Sequence, residues 1–279
     1  MHNKNQIIID NYSNINSSIY EDRINKNFLY GKETKEFVSN LNIKDENILI
    51  TDIGCGTGFV FEIISKKLKF NHIKLIGIDP AIGMLKIAKK KINFKNINFI
   101  EGSFENIPLR NKSVDKIVST LALHWVTSID KALKELKRVM KKNGTINILM
   151  IEKNDGKEFK RIIYKIMKKY LSIKQIINAA KLLNRITKKE LNKKFSKYFD
   201  LKKEYNLEIK LKKKKIYGSC EEHIKWWKAR SLQIISEIND KKLFIKDLKE
   251  ELNKLKTTKG IPFNLRLLEI NLNKKNKSI

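Results

Sequence analysis

The stretch Thr51-Asp-Ile-Gly-Cys-Gly-Thr-Gly58 decides the fold of this chain. It overlaps the end of a short apolar run, residues 47–53, which predicts a buried strand, and a helical pattern follows from Phe59 to Lys69. Three glycines at alternate positions allow a sharp turn and let a ligand lie against bare backbone. A dinucleotide site would place its third glycine at position 59, where this chain has Phe. The spacing is G-x-G-x-G instead, with an acid two residues before the first glycine.

Strands and helices alternate on both sides of this stretch. Four more apolar runs predict strands: Lys74–Asp79, Ile97–Glu101, Val114–Leu121 and Thr145–Ile151. Helical spacing covers Pro80–Lys91 and Asp130–Lys142, and the second helix is expected to end at Asn143-Gly144. Continuously apolar strands joined by helices predict a parallel sheet that is covered on both faces. The fold class is therefore α/β and doubly wound.

The pattern changes after residue 156. Residues 159–199 read as two or three basic amphipathic helices with no strand between them. The remaining chain predicts a strand at 205–217, helices at 221–231 and 241–256, and a last strand at 261–272. No apolar run approaches the ~20 residues that span a bilayer. The N-terminus has no signal-peptide layout, so we expect a cytoplasmic protein without membrane association.

Charge is the most conspicuous feature of the composition. The 279 residues include 60 Lys+Arg and 30 Asp+Glu, a formal net charge of +30. Such an excess suggests nucleic-acid binding, but only seven of the basic residues are Arg, the type that phosphate and base recognition favours. Residues 151–279 hold 36 basic and 15 acidic residues. Codon drift in an AT-rich genome and steering of an acidic partner both stay open. Two cysteines, Cys55 and Cys220, exclude a disulfide scaffold and a four-cysteine zinc site, and we expect no metal.

The glycine stretch resembles the E/D-x-G-x-G-x-G motif of class I S-adenosylmethionine-dependent methyltransferases. Asp52 ends an apolar strand, and a carboxylate buried there needs a partner, which a cationic or amine group of a ligand would supply. Asp79 ends the second strand, where an acid accepts both ribose hydroxyls of a nucleotide; its alternative role is to cap the helix after Pro80. The family usually has Asp where this chain has Ser103, whose hydroxyl can still bond the adenine while Phe104 packs on the ring.

This resemblance covers about residues 40–152 and implies S-adenosylmethionine as the cofactor. It implies a Rossmann-like sheet of seven strands with these divisions: an N-terminal helical cap over 1–40, a cofactor-binding core over 41–156, a helical lid over 157–204, and C-terminal helices and the last two strands over 205–279. The cofactor contacts that it implies are Asp52, Gly54, Cys55, Gly56, Gly58, Asp79, Pro80, Gly102, Ser103, Phe104, Thr120 and Leu121.

The segment Ser119-Thr-Leu-Ala-Leu-His-Trp-Val126 lies where the fourth strand ends. It resembles the S/N-x-x-L-Q/H-W stretch of the methyltransferases that esterify trans-aconitate, malonyl-carrier protein and juvenile hormone acid. His124 is then either a general base for a hydroxyl substrate or a wall of the pocket, and Trp125 is either a pocket wall or a core anchor. In this family the leader folds over the cofactor, which makes Tyr12 and Tyr20 candidate substrate or lid residues; the alternative is that they belong to an amphipathic helix that only packs on the core.

Three functions follow from these observations. The first is O-methylation of a carboxyl or hydroxyl group on an acidic metabolite or on an acyl chain bound to a carrier protein. The second is methylation of tRNA or rRNA; against it, no N/D-P-P-Y/F motif follows the fourth strand, so nucleic acid is the less favoured partner. The third is a catalytically inactive partner protein that keeps the cofactor fold. The oligomeric state and the acceptor atom are not determined by the sequence.

Overall fold

The computed structural model describes residues 4–10, 12–13, 21, 26–43, 48–66 and 73–275. Within them, seven strands form one sheet with the order β3-β2-β1-β4-β5-β7-β6. The first five strands are parallel, and β7 runs antiparallel to both β5 and β6. The strands are β1 (Leu49–Ile53), β2 (Lys74–Asp79), β3 (Ile97–Glu101), β4 (Val114–Thr120), β5 (Met140–Ile151), β6 (Tyr205–Gly218) and β7 (Ile261–Lys274). The seven-stranded doubly wound α/β fold is confirmed.

Ten α-helices accompany the sheet in the described residues, and a short 3-10 turn covers Leu123–Trp125. The helices are α1 (Lys4–Asp10), α2 (Tyr30–Ser39), α3 (Phe59–Ser65), α4 (Ile82–Lys91), α5 (Ile129–Val139), α6 (Lys157–Tyr170), α7 (Ile173–Ala180), α8 (Lys188–Tyr198), α9 (Cys220–Ser236) and α10 (Lys241–Asn253). No helix among the described residues has the length and apolar character needed to cross a bilayer.

Two hydrophobic clusters cover the two faces of the sheet. One includes side chains of α2, α3, α6, α9 and α10, and the other includes side chains of α5 and α8. Helix α5 shows why these segments fold as they do. Its buried residues recur at helical spacing from Ile129 to Val139, and the Ser128 side chain caps its first turn by accepting from the Lys131 N–H.

The end of α5 differs from the sequence prediction. The helix stops at Val139 rather than at Asn143-Gly144, because Met140 already pairs with Val114 at the start of β5. The register then shifts before Lys116, so the Asn-Gly pair lies within an irregular part of the strand. A long-range pairing decides this boundary, and it overrides a local signal for a helix end.

The predicted lid over 157–204 divides into two parts with different positions. Helices α6 and α7 line a cavity beside the end of β4. Helix α8 packs instead on α5 at the opposite face of the sheet, where Leu191 and Phe195 are fully buried. Because α8 belongs to the core, only the segment up to Arg185 can act as a wall of the site.

Candidate functional site

The glycine turn after β1 brings backbone close to three neighbouring elements. Gly54, Gly56 and Gly58 have φ angles of 74°, 53° and 80°, in the region that glycine adopts most easily. A Cβ on Gly54 would lie 2.2 Å from the Cβ of Ala122, and one on Gly58 would lie 2.4 Å from Cδ1 of Ile92. A Cβ on Gly56 would meet nothing within 4 Å. Gly54 and Gly58 therefore permit close packing, whereas Gly56 borders open space.

Asp79 holds this turn from the end of β2. Its Oδ2 accepts from the Gly56 N–H at 2.8 Å, and its Oδ1 accepts from the Ala81 N–H at 2.9 Å. Burial raises the pKa of Asp79 to about 6, although both backbone bonds act in the opposite direction. Helix α4 begins at Ile82, its N-cap position is Ala81, and it has no side-chain cap bond. The carboxylate thus braces the glycine turn, and the alternative role as a helix cap does not apply.

A cavity of about 350 Å³ lies at the carboxyl ends of β1, β2 and β4. The described N-terminal residues, including Ile8 and Tyr12, form part of its wall. Ten of the predicted cofactor residues line it: Gly54, Cys55, Gly56, Asp79, Pro80, Gly102, Ser103, Phe104, Thr120 and Leu121. This is the edge of an open parallel sheet at which nucleotide-type ligands bind. Cys55 is buried, and burial raises the pKa of its thiol well above the usual value, so it is a poor nucleophile.

Asp52 and Gly58 are the two predicted cofactor residues that do not line this cavity. Asp52 is fully buried, and neither of its side-chain oxygens has a hydrogen-bond partner among the described residues. Burial and the neighbouring Asp79 raise its pKa well above the usual value. A buried carboxyl group without a partner, beside an open cavity, fits a ligand that brings a donor or a cation. The residues that line the cavity, with Asp79 and the bare backbone of Gly56 among them, fit a nucleotide-type cofactor.

A second cavity, of about 330 Å³, adjoins the first. Five residues line both: Ile8, Tyr12, Leu121, Trp125 and Arg230. The wall of the second cavity is mostly apolar and aromatic, and it includes side chains of α6, α7 and α9. Such a cavity suits the carbon skeleton of a small molecule that reaches the first cavity with one end.

Leu121 stands at the junction with a φ of 57°, an unusual conformation for a residue with a side chain. Its N–H donates to the carbonyl of Leu149 at 2.7 Å, which holds the strained backbone in place. The chain turns away from the sheet here, so Leu121 and Trp125 both face the two cavities.

Three of the four predicted substrate residues lie together. The rings of Tyr12 and Trp125 pack edge to face with centroids 5.6 Å apart, and the rings of His124 and Trp125 are 5.5 Å apart. His124 lines only the second cavity, and its Nδ1 is buried without a hydrogen-bond partner among the described residues. Burial, together with Arg185 and Arg230, lowers its pKa well below the usual value. Tyr20 lies outside the described residues.

Several residues of the second cavity were not predicted from the sequence. Arg230 donates to the Trp226 carbonyl at 2.9 Å and lies over the rings of Tyr30 and Trp226. Tyr30 in turn donates to the buried carboxyl group of Asp155. These residues are far apart in the chain and belong to no motif, so no local pattern could have pointed to them.

Residues 51–148 match a family model described as a methyltransferase domain. Residues 51–148 are therefore identified as a methyltransferase domain. The chain is 36% identical over 127 residues to the ubiquinone/menaquinone biosynthesis C-methyltransferase of Campylobacter jejuni. This alignment covers 44% of this chain and 53% of that protein. The chain is 30% identical over 105 residues to the malonyl-[acyl-carrier protein] O-methyltransferase of Priestia megaterium. This alignment covers 38% of this chain and 37% of that protein.

The chain spans about half the length of the curated relatives that it matches. Similarity in fold covers more of this chain than the sequence matches do. A structure of phosphoethanolamine N-methyltransferase 2 of Haemonchus contortus, bound to S-adenosylhomocysteine, covers 99% of this chain and 61% of its own, with a TM-score of 0.62 and 14% identity.

Proposed function

We propose that this protein methylates an oxygen atom of a small molecule or acyl chain, and that the oxygen belongs to a carboxylate. The observation that carries the proposal is Arg230, which lines both the cofactor cavity and the apolar second cavity. A guanidinium at this junction is suited to hold a carboxylate, whose two oxygens match its planar donors.

The first cavity provides the residues that would hold the cofactor. Asp79 would accept from the ribose hydroxyls, Gly56 offers bare backbone, and Phe104 offers an aromatic face. S-adenosylmethionine, when bound, supplies a methyl group already activated on its sulfonium. The remaining task of the protein is to orient the acceptor oxygen and exclude water, for which Leu121, Trp125 and Tyr12 form the shared wall.

The electrostatics of His124 favour a carboxylate over a hydroxyl acceptor. A hydroxyl group needs a base to remove its proton, and such a base works best with a pKa near the working pH. His124 is buried and its pKa is lowered well below the usual value. A carboxylate is ionised at neutral pH and needs no base. We therefore assign His124 to the pocket wall.

The surface lysines give less support to an RNA substrate. Some of them form ion pairs with nearby carboxylates, as Lys212 and Lys214 do with Glu33, at 2.7 and 3.0 Å. Lys165 similarly pairs with Glu251 at 2.9 Å. The acceptor cavity is mostly apolar, which suits a small organic acid better than a nucleic-acid backbone.

The test is a radiolabelled methyl-transfer assay with a panel of carboxylic acids, alcohols, acyl-carrier conjugates and tRNA. We expect label in a carboxylic acid or carrier-bound acid, and we expect mild base to release it as methanol, because methyl esters are base-labile. The Asp79→Ala variant, which removes the predicted ribose ligand, should incorporate no label above background. Label that enters only RNA or base-stable products would refute the proposal.

A further inference from the structure

The second cavity contains cationic groups that the proposed methyl transfer does not use. Arg185 lines this cavity but not the cofactor cavity. Its Nε is buried without a hydrogen-bond partner, and its side chain forms no ion pair with the residues that the structure describes. Arg185 is half-buried, and a buried guanidinium nitrogen without a partner costs free energy that an anion would offset.

The backbone around Arg185 is held in place from two sides. The N–H of Asn184 donates to the carbonyl of His124 at 2.7 Å, and the N–H of Lys153 donates to the carbonyl of Ile186 at 3.2 Å. The side-chain amide of Asn184 also donates to the Thr127 carbonyl at 3.3 Å. These bonds attach the segment after α7 to the loops that follow β4 and β5, so Arg185 has a defined position in the wall.

Lys160 lines the same cavity from α6 and also does not border the cofactor cavity. Its Nζ donates only weakly, to the Lys153 carbonyl at 3.4 Å, and it forms no ion pair within 4 Å among the described residues. Burial and the charge of Arg185 lower the pKa of Lys160 to about 8, against the opposing effect of the Asp155 and Glu152 carboxylates. Two cations that disfavour each other's charge would both gain from one shared anion.

The carboxylates nearest to these cations already have other partners. Asp155 accepts from the Tyr30 hydroxyl and from the Arg266 N–H, at 2.7 Å for the latter. Glu152 pairs with the guanidinium of Arg266 at 2.7 Å. Asp155 lines the same cavity, and its charge interacts with both cations, but neither carboxylate lies within ion-pair distance of Arg185 or Lys160. A direct anionic partner for them would therefore come from a ligand.

We propose that Arg185 and Lys160 form an anion subsite, which binds a second acidic group of the acceptor, a carboxylate or phosphate, remote from the methylated oxygen. The inference rests on the proposed function, because it takes the second cavity as the acceptor cavity. The substrate class is then a small acid that carries a second anionic group. Arg230 holds the group that is methylated, and Arg185 with Lys160 holds the other.

The subsite can be tested by calorimetric binding to protein saturated with S-adenosylhomocysteine. The probes are octanoate, octanedioate and an octanoate that carries a terminal phosphate. Wild-type protein should bind one or both dianionic probes at least about 10-fold more tightly than octanoate, since a charge-assisted pair contributes about that much. The tighter of the two dianions identifies the second group as carboxylate or phosphate. Equal affinity for all three probes would overturn the proposal.

Variants assign the preference to named residues. Arg185→Gln should remove the dianion preference and leave octanoate affinity unchanged, and Lys160→Gln should reduce the preference independently. Arg161→Gln is the matched control, because Arg161 lies on α6 beside Lys160 but is exposed to solvent. Unchanged affinity for S-adenosylhomocysteine shows that each variant is folded. A dianion preference that survives in both Arg185→Gln and Lys160→Gln would contradict the assignment.

The two proposals fail in different ways. Dianion binding that depends on Arg185, without any methyl transfer to the acid, would overturn the proposed function and leave the subsite intact. Methyl transfer to monoacids and diacids at equal efficiency, unaffected by Arg185→Gln, would overturn the subsite and leave the function intact.

Discussion

The ionisation of Asp79 predicts how cofactor affinity depends on pH. Burial raises its pKa from 3.8 to about 6, a shift of about two units that corresponds to about 3 kcal/mol between its protonated and ionised forms. The pKa of Asp79 is higher in the folded, ligand-free protein than in the unfolded chain. Protonation of Asp79 therefore stabilises the fold fully at a pH below the unfolded pKa, and this contribution is lost as the pH rises through about 6. Ribose hydroxyls donate to the ionised form, so cofactor binding below pH 6 must displace a proton.

The affinity for S-adenosylhomocysteine should therefore be nearly constant above pH 7 and fall below pH 6. If the proton must leave completely, the Kd at pH 5 should be about 10-fold higher than at pH 7. Calorimetry at pH 5, 6, 7 and 8, in two buffers with different ionisation enthalpies, measures both the Kd and the protons released. Asp79→Asn should bind more weakly at every pH and lose the dependence.

The control for this experiment is Asp130→Asn, since Asp130 is a surface carboxylate outside the cofactor cavity whose pKa lies at about 2. This variant should keep the wild-type pH profile. A wild-type Kd that is flat from pH 5 to pH 8, or an Asp79→Asn profile that keeps the slope, would show that Asp79 does not ionise on binding.

Three further predictions concern the N-terminal segment, the acceptor pocket and the core. Gly83→Ala would place a Cβ 1.9 Å from the Ser13 carbonyl oxygen, so the N-terminal segment must move and the Kd for S-adenosylhomocysteine should rise several-fold, as titration would reveal. His124→Asn should lower kcat less than about 10-fold without altering the pH–rate profile, whereas loss of a general base costs about 100-fold or more. Phe263→Ala removes a ring that packs 5.2 Å from Trp226 and should lower the free energy of unfolding in urea by about 3–5 kcal/mol; a loss under 1 kcal/mol would contradict its place in the core.

The strands and the glycine turn could be predicted because their signals are local. The bounds of β2 and β3 agree with the predicted runs to the residue, since each is a short apolar stretch between turn residues. The turn at Gly54 and the carboxylate at Asp79 form a motif whose spacing follows from backbone geometry. These local constraints determine most of the cofactor cavity.

The acceptor cavity could not be predicted in the same way. Arg185 follows α7, Arg230 lies within α9, and Asp155 precedes α6, so only tertiary packing brings them to one cavity. Arg185 also lies in a Lys-rich stretch, where one more cation gives no distinct signal. The net charge suggested an acidic partner but did not indicate where on the protein it would bind. The structure places two of the seven Arg residues in one largely apolar cavity, which gives part of that charge a specific position.

The N-terminal wall shared by the two cavities has a consequence for how the two reactants bind. Ile8 and Tyr12 border both cavities, and Glu21 and Lys26, an ion pair at 2.7 Å, border the first. One displacement of this segment would open both chambers to solvent, so entry and exit of the two reactants are coupled rather than independent. Binding of either reactant should therefore hold this wall closed over the other, so S-adenosylhomocysteine and the acceptor should each bind more tightly when the other is present.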